Sequence, residues 1–262
     1  MRKSMVSHFS VALITALIMA FIFSTMDRRE KPINDSCPAL GGSEKQREQL
    51  DQLMPRNNMQ TAANYKAHTY DFKAVNGLSE SQLSQHHKLY QGYVNKRNEI
   101  EASLKTAERD KQSPSYTVYR GLKVGETFAL NGVILHELYF ENIIGGTGTK
   151  MGPATEALIK QNFGSVQQFK EDLIACASCA RGWVMTGFCI FDGSVHNFLL
   201  DAHNETVPVL TLPLLMVDTY EHAYMIDFGI NRADYLKIVW ENINWDVVEK
   251  RIEMWVMKQC LN

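Results

Sequence analysis

The pattern of apolar and polar residues begins with a long apolar run near the N-terminus. Residues 9–26 contain no charged residue, and Lys or Arg residues flank the run on both sides. A span of this length is close to the roughly 20 residues that cross a bilayer, whereas a secretory signal has a shorter apolar core and a small-residue cleavage site. The pattern predicts a membrane anchor or signal segment over residues 1–26 and favours an uncleaved anchor. The protein is therefore expected to be membrane-anchored or exported, and the basic residues on both flanks leave its orientation open.

A polar tether and a helical hairpin are predicted next. Residues 27–62 contain Pro and Gly and show no sustained apolar period. Residues 79–110 place apolar and aromatic residues at three- and four-residue steps after a Ser cap, which predicts a long amphipathic helix. Residues 128–146 predict a second, more apolar helix that ends at two glycines. Together the two helices define a helical hairpin domain over residues 63–147.

The C-terminal part changes to a mixed pattern, which defines a domain over residues 148–262. Two short helices are predicted first, then three strands of which the first two form a hairpin around a DGS turn, then two amphipathic helices. The predicted ranges are helices at 154–163 and 165–177, strands at 182–191, 194–202 and 209–218, and helices at 233–243 and 245–260. The whole chain is thus predicted to be α+β, with a helical hairpin followed by an α/β unit that contains a small three-stranded antiparallel sheet.

Composition narrows the possible partners. The chain has 262 residues, of which 45% are hydrophobic, and a formal net charge of -2. This is enough apolar material for a substantial core, and no basic stripe is present to attract a phosphate backbone, so nucleic acid is not expected as a partner. Cys176 and Cys179 form a CxxC pair, but without a second pair nearby they are interpreted as small buried thiols rather than a redox or zinc site.

Four residues suggest a metal site. His86 and His136 lie on the predicted inward faces of the two hairpin helices, where they can converge. Asp218 ends the third predicted strand, and His222 follows four residues later in the segment VDTYEHAYMIDF. A lone His in a core most often bonds a carbonyl group, but three imidazoles with one carboxylate suit iron, manganese or zinc. The single carboxylate favours a metal that reaches the 3+ state, because it offsets part of the added charge.

The segment DTYEHAYMIDFGINRADYLKIVWENINW, residues 218–245, resembles the signature of the iron/manganese superoxide dismutases. HHKLYQGYVNKRN, LHELYFEN and ARGWVMTGF are similar to the first-helix, second-helix and Gly-Trp strand motifs of that family. The similarity extends over residues 63–262 with the same order and spacing.

The resemblance implies one iron or manganese ion per subunit, held by His86, His136, Asp218 and His222 with a solvent molecule as fifth ligand. Tyr93 corresponds to the tyrosine between the substrate funnel and the metal. The activity implied is one-electron disproportionation of superoxide to O2 and hydrogen peroxide.

Further positions correspond to residues around the metal and at the subunit interface. Glu221 would reach across a homodimer, or a dimer of dimers, to the other subunit's His222. Arg232 and Tyr235 would line the entrance or the interface. His203 stands where manganese-type members carry a Gln beside the bound solvent, and Gly132 would leave room for it.

Some positions depart from the family pattern. Tyr220 replaces a Trp in the pocket wall, and Tyr90 and Met225 replace a His and a Tyr that pair across the dimer, which suggests a repacked interface. Tyr93 lies seven residues after His86 instead of eight, so one residue is missing from a helical turn. His86 is preferred to His87 as ligand because it shares a helix face with Tyr90 and Tyr93.

Three hypotheses follow for the activity. The leading one is an iron- or manganese-dependent superoxide dismutase. The alternative is a catalytically drifted metal-binding or interaction domain of the same fold, which the altered Tyr220, Tyr90 and Met225 would allow. A zinc hydrolase with Glu221 as base is disfavoured, because a residue next to a ligand is expected to project away from the metal.

Overall fold

The computed structural model describes residues 65–257. The predicted anchor or signal segment and the predicted tether lie outside the described residues, and the division of the chain at residues 62 and 147 stays a prediction. No helix within residues 65–257 combines the length and the apolar character that crossing a membrane requires.

Two long helices form the predicted helical hairpin. Helix α1 spans Glu80–Thr106 and begins at Ser79, whose side chain accepts a hydrogen bond from the backbone N–H of Gln82. Helix α2 spans Val118–Ile143 and packs against α1. It begins ten residues before the predicted start at residue 128, because the Thr117 side chain caps its first turn.

The C-terminal part contains the predicted sheet and surrounding helices. The sheet order is β2-β1-β3 and both strand pairs are antiparallel, so the predicted three-stranded antiparallel sheet is confirmed. In chain order the elements are α3 Pro153–Phe163, α4 Val166–Cys179, β1 Trp183–Cys189, β2 Ser194–Leu200, β3 Thr211–Asp218, a 3₁₀ turn Glu221–Ala223, α5 Met225–Phe228, α6 Arg232–Glu241, α7 Trp245–Arg251 and a π-helical turn Ile252–Met257.

Strand β3 delivers Asp218 to the core. Its register against β1 shifts between Thr186 and Gly187, which pair with Leu215 and Pro213, so one residue of β3 is left over as a bulge. Pro213 has no N–H to donate, which an edge strand tolerates. The last pair of the ladder joins Trp183 to Asp218, and both residues are fully buried. The end of β3 therefore opens into the interior, where it faces the two long helices.

A residue distant in sequence supplies the N-terminal cap of α3. The cap position is Gly152, which has no side chain to accept the free N–H groups. Glu249 of α7 fills this role, because its carboxylate accepts from the backbone N–H of Ala154 at 2.8 Å and of Thr155 at 2.7 Å, and from the Thr155 hydroxyl. The contact fixes the C-terminal helices against α3.

Candidate metal centre

Four residues from four different elements converge in the core. His86 comes from α1, His136 from α2, Asp218 from the end of β3 and His222 from the 3₁₀ turn that follows. One ligand atom of each lies within 4.8 Å of the ligand atoms of the other three. His86, His136 and Asp218 are buried, whereas the His222 side chain keeps 27% of its surface exposed.

The imidazole nitrogens surround one carboxylate oxygen. Asp218 Oδ2 lies 3.0 Å from His86 Nε2 and 3.1 Å from His222 Nε2. His136 Nε2 lies 3.9 Å from the same oxygen, which is too long for a hydrogen bond. The three Nε2 atoms and one carboxylate oxygen therefore face a common point.

His136 leaves a lone pair without a partner in the interior. Its Nδ1 lies 2.5 Å from the Gly132 carbonyl oxygen, an acceptor, so Nδ1 carries the proton. Burial holds the pKa of His136 well below its ordinary value, so the ring is neutral and Nε2 has no proton. His136 Nε2 is buried and has no hydrogen-bond partner. A buried acceptor of this kind is costly unless it binds something at that point.

Asp218 is anionic in this site. Burial alone would raise its pKa, but the His222 and His86 imidazoles outweigh burial and hold the pKa of Asp218 far below its usual range. The carboxylate in turn raises the pKa of His222, against the lowering effect of burial. One anionic oxygen with three imidazole nitrogens matches the donors that iron, manganese and zinc accept, so the residues present fit a bound transition-metal ion.

Aromatic residues enclose the cluster. The rings of Tyr139 and Phe140 lie 5.3 and 5.0 Å from the His86 ring, and the Trp183 ring lies 4.9 Å from His136. Such walls exclude water from the polar groups and strengthen their electrostatic interactions.

Tyr235 lies behind Asp218, and the prediction that it lines the entrance or the interface is wrong. It is fully buried, and its hydroxyl donates to the Asp218 carbonyl oxygen at 2.7 Å. The same hydroxyl lies 3.0 Å from the Tyr139 hydroxyl. Tyr235 shares the buried face of α6 with Leu236 and Val239, so its side chain enters the interior. Its bond to Asp218 joins residues 17 positions apart, which the sequence pattern alone does not reveal.

His203 lies beside the cluster in a fixed orientation. The Trp183 indole N–H donates to His203 Nδ1 at 2.9 Å, and the Asn131 side-chain amide donates to the His203 carbonyl oxygen at 2.7 Å. Burial lowers the pKa of His203 to about 4, so the ring is neutral near pH 7. Because Nδ1 accepts a hydrogen bond, the proton of the neutral ring is on Nε2, which is buried and has no partner.

Tyr93 and Tyr220 flank His203. The Tyr93 ring lies 4.7 Å from His203 and 5.3 Å from His136, and burial raises the pKa of its hydroxyl to about 12. Tyr220 stacks on His222 at 5.1 Å and lies 5.4 Å from His203. The space above Gly132 is filled by the Tyr93 ring, since a Cβ atom on Gly132 would lie 2.8 Å from Tyr93 Cδ1.

Glu221 and Arg232 occupy different environments. Glu221 is exposed at the start of the 3₁₀ turn. Arg232 is half-buried and donates to the Ala180 carbonyl oxygen at 2.7 Å and to the Tyr224 hydroxyl at 3.3 Å. Their predicted roles at a subunit interface or at the substrate entrance stay predictions.

Tyr90 is used inside the subunit, and the predicted repacking of the subunit interface stays a prediction. The residue is fully buried, its hydroxyl donates to Glu137 at 2.7 Å, and it accepts from the His68 backbone N–H at 2.9 Å. The preceding helix position, Leu89, is exposed. His87 also points away from the cluster, with its Nε2 atom 2.9 Å from the His68 carbonyl oxygen.

The CxxC pair lies on the last turns of α4. Cys176 is half-buried and Cys179 is exposed, so the prediction that both are buried thiols is wrong. Burial raises the pKa of Cys176 to about 11, so this thiol is protonated near pH 7.

Two residues around the cluster have little signal in the sequence. Gln82 is a fully buried amide in α1, and Asn131 holds the His203 backbone from α2. Neither belongs to a motif. The one clue in the sequence is that Gln82 is a polar residue on the apolar face of a helix, four positions before His86.

Comparisons with known proteins agree with this geometry. Residues 151–251 match the family model described as iron/manganese superoxide dismutases, C-terminal domain. A protein named Superoxide dismutase [Fe] from Aquifex pyrophilus is 40% identical over 183 residues, which cover 68% of this chain and 86% of that protein. A second, Superoxide dismutase [Mn] 2 from Haloferax volcanii, is 29% identical over 186 residues, covering 70% of this chain and 92% of that protein. The chain belongs to the iron/manganese superoxide dismutase family.

Proposed function

We propose that this protein is a superoxide dismutase with one iron or manganese ion held by His86, His136, Asp218 and His222. The observation that carries the proposal is the convergence of four ligand atoms within 4.8 Å, one of them the unpartnered, buried His136 Nε2. The similar proteins named for iron and for manganese support either metal.

The metal, when bound, supplies a one-electron couple between its 2+ and 3+ states, so that one superoxide is oxidised to O2 and a second, with two protons, is reduced to hydrogen peroxide. The protein holds the donors in place before the ion arrives. Asp218 contributes the single negative charge, and the three imidazole nitrogens complete the donor set.

His203 and Tyr93 prepare the space beside the donors for a small polar molecule. His203 presents an N–H at Nε2, because the Trp183 indole occupies Nδ1. Tyr93 keeps its hydroxyl proton near pH 7, since its pKa is about 12. Both side chains therefore offer protons for hydrogen bonds at the place where superoxide takes up protons.

The chain assembles as a homodimer in which Glu221 reaches the partner's metal-binding turn. Support comes from the segment that follows Glu221, in which Met225, Ile226 and Ile230 are exposed apolar residues. Exposed apolar patches of this kind mark interaction sites. Sedimentation analysis tests this: the wild-type chain sediments as a dimer or larger, and a monomer would contradict the assembly.

We propose that residues 9–26 direct the protein to a membrane or out of the cytoplasm. The support is the uncharged apolar run itself. Fractionation of cells that express the full chain tests the location, and a soluble cytoplasmic protein that retains residues 1–26 would contradict it.

The activity is tested with the purified full chain, loaded separately with iron and with manganese. Metal content and inhibition of superoxide-dependent cytochrome reduction are measured on the same sample. One metal ion per chain with dismutation in at least one metal form is expected. Stoichiometric metal without dismutation would contradict the enzyme and support the drifted metal-binding domain instead.

A further inference from the structure

Gln82 is a buried amide beside the metal centre that has no role in the proposed function described above. It lies on α1 four residues before His86, on the same helix face. Its side chain is fully buried although it carries both a donor and an acceptor. The N–H and C=O groups of a buried amide almost always have hydrogen-bond partners, so the partners of Gln82 indicate which segment it stabilises.

Both partners of Gln82 are backbone groups of the turn that carries His222. Gln82 Nε2 donates to the His222 carbonyl oxygen at 2.6 Å, and Gln82 Oε1 accepts from the Ile226 backbone N–H at 3.1 Å. The hydrogen bonds within this turn use the carbonyl groups of Tyr220 and Glu221 instead. Gln82 therefore satisfies two backbone groups on either side of residues 223–225.

This arrangement couples two of the proposed ligands that are far apart in sequence. His86 is held by the backbone of α1, and His222 by a short turn whose backbone is bound to α1 through Gln82. The two imidazole rings lie 4.9 Å apart between centroids. A turn of three residues has few backbone bonds of its own, so its position depends on such outside contacts.

We propose that Gln82 is a positioning residue that fixes the His222 turn against the His86 helix and thereby sets the geometry of the bound metal. The inference rests on the proposed metal centre. Partners that orient ligands in this way typically change metal affinity by about 10- to 100-fold when they are removed.

Asn242 provides a matched control within the same subunit. It is also a buried amide that joins two segments, since its Oδ1 accepts from the Asn76 N–H at 2.9 Å and its Nδ2 donates to the Asn76 carbonyl oxygen at 2.7 Å. Neither of these bonds involves the backbone of a proposed ligand. Its removal should therefore lower stability without changing the metal geometry.

The test compares Gln82→Met and Asn242→Leu with the wild type as full chains loaded with the same metal. The rate of metal release into excess chelator and the electron paramagnetic resonance spectrum are measured, and circular dichroism verifies folding. Release from Gln82→Met is expected to be about 10-fold faster or more, with an altered spectrum, whereas Asn242→Leu keeps the wild-type spectrum and a rate close to the wild-type rate.

Gln82→Glu isolates the bond to His222 if Gln82→Met does not fold. It keeps an acceptor for the Ile226 N–H but puts an oxygen in place of the Nε2 donor, and it should also release metal faster. The positioning role alone would be overturned if the Gln82 variants kept the wild-type rate of metal release and the wild-type spectrum. It would also be overturned if Asn242→Leu released metal as fast as they do. A wild-type chain that binds no metal would overturn the metal centre itself.

Discussion

Replacement of Gly132 by alanine tests how tightly Tyr93 is packed against helix α2. A Cβ atom at this position would lie 2.8 Å from Tyr93 Cδ1 and 2.9 Å from Cγ. Carbon atoms in contact are normally about 3.5–4.0 Å apart, so the ring must move by about 0.7 Å or more. The same ring contacts His203 and His136, so the shift reaches the metal centre.

The change in the free energy of unfolding on Gly132→Ala has two opposing parts. Alanine is favoured over glycine in a helix by about 0.5–1 kcal/mol, and overpacking costs about 1–3 kcal/mol. Gly121 lies in the same helix with no atom within 4 Å of its Cβ position, so Gly121→Ala shows the helix preference alone. The two variants should differ by about 1–3 kcal/mol, or about 2–12 °C in Tm for a protein of this size.

The assay is urea unfolding of the metal-free variants, with dismutation measured on the metal-loaded proteins. Gly121→Ala should equal or exceed the wild type in stability and keep its activity. Gly132→Ala should be less stable than Gly121→Ala and lose up to about 100-fold in activity, because displacements near 1 Å disturb a reacting site. Equal stability and activity in the two variants would refute the packing argument.

Two further predictions concern contacts outside the donor set. Burial would raise the pKa of Glu249, but the Thr155 hydroxyl and the two backbone N–H groups outweigh burial and lower it. The Glu249 carboxylate therefore stabilises the folded state above the unfolded-state pKa, and this stabilisation is lost as pH falls through the folded-state pKa. Glu249→Gln should therefore lower the free energy of unfolding by about 1–2 kcal/mol at pH 7, and by less in acid, as measured by urea unfolding. The control Glu253→Gln, on the exposed surface, should change it little. A loss of stability in Glu249→Gln that grows in acid would contradict this. Tyr235→Phe should cost about 1–3 kcal/mol, because the Asp218 carbonyl oxygen loses its buried donor, and wild-type stability would rule out that bond as a support of the site.

The sequence predicts most of the elements because their patterns are local. The helix that carries His86 has a three- and four-residue apolar period, and the DGS turn marks the hairpin between β1 and β2. The start of α2 lies before the predicted one, because Thr117 is a lone capping residue followed by a glycine-containing stretch with a weak apolar period.

The candidate site depends on contacts that no local pattern contains. The residue pattern and the resemblance to a family both indicate the four residues of the cluster, and the structure brings them together. The hydrogen bond from Tyr235 to Asp218 and the two bonds of Gln82 each join residues that are between 17 and 144 positions apart. Packing between elements decides such contacts, so they appear only in three dimensions.

The proposed function requires that His86, His136, Asp218 and His222 together bind the catalytic metal. Anomalous diffraction from crystals of the metal-loaded full chain, recorded on both sides of the iron or manganese absorption edge, tests it directly. One strong peak per chain is expected within bonding distance of the three Nε2 atoms and of Asp218 Oδ2. A peak at any other group of residues, or no peak in protein that dismutates superoxide, would contradict it.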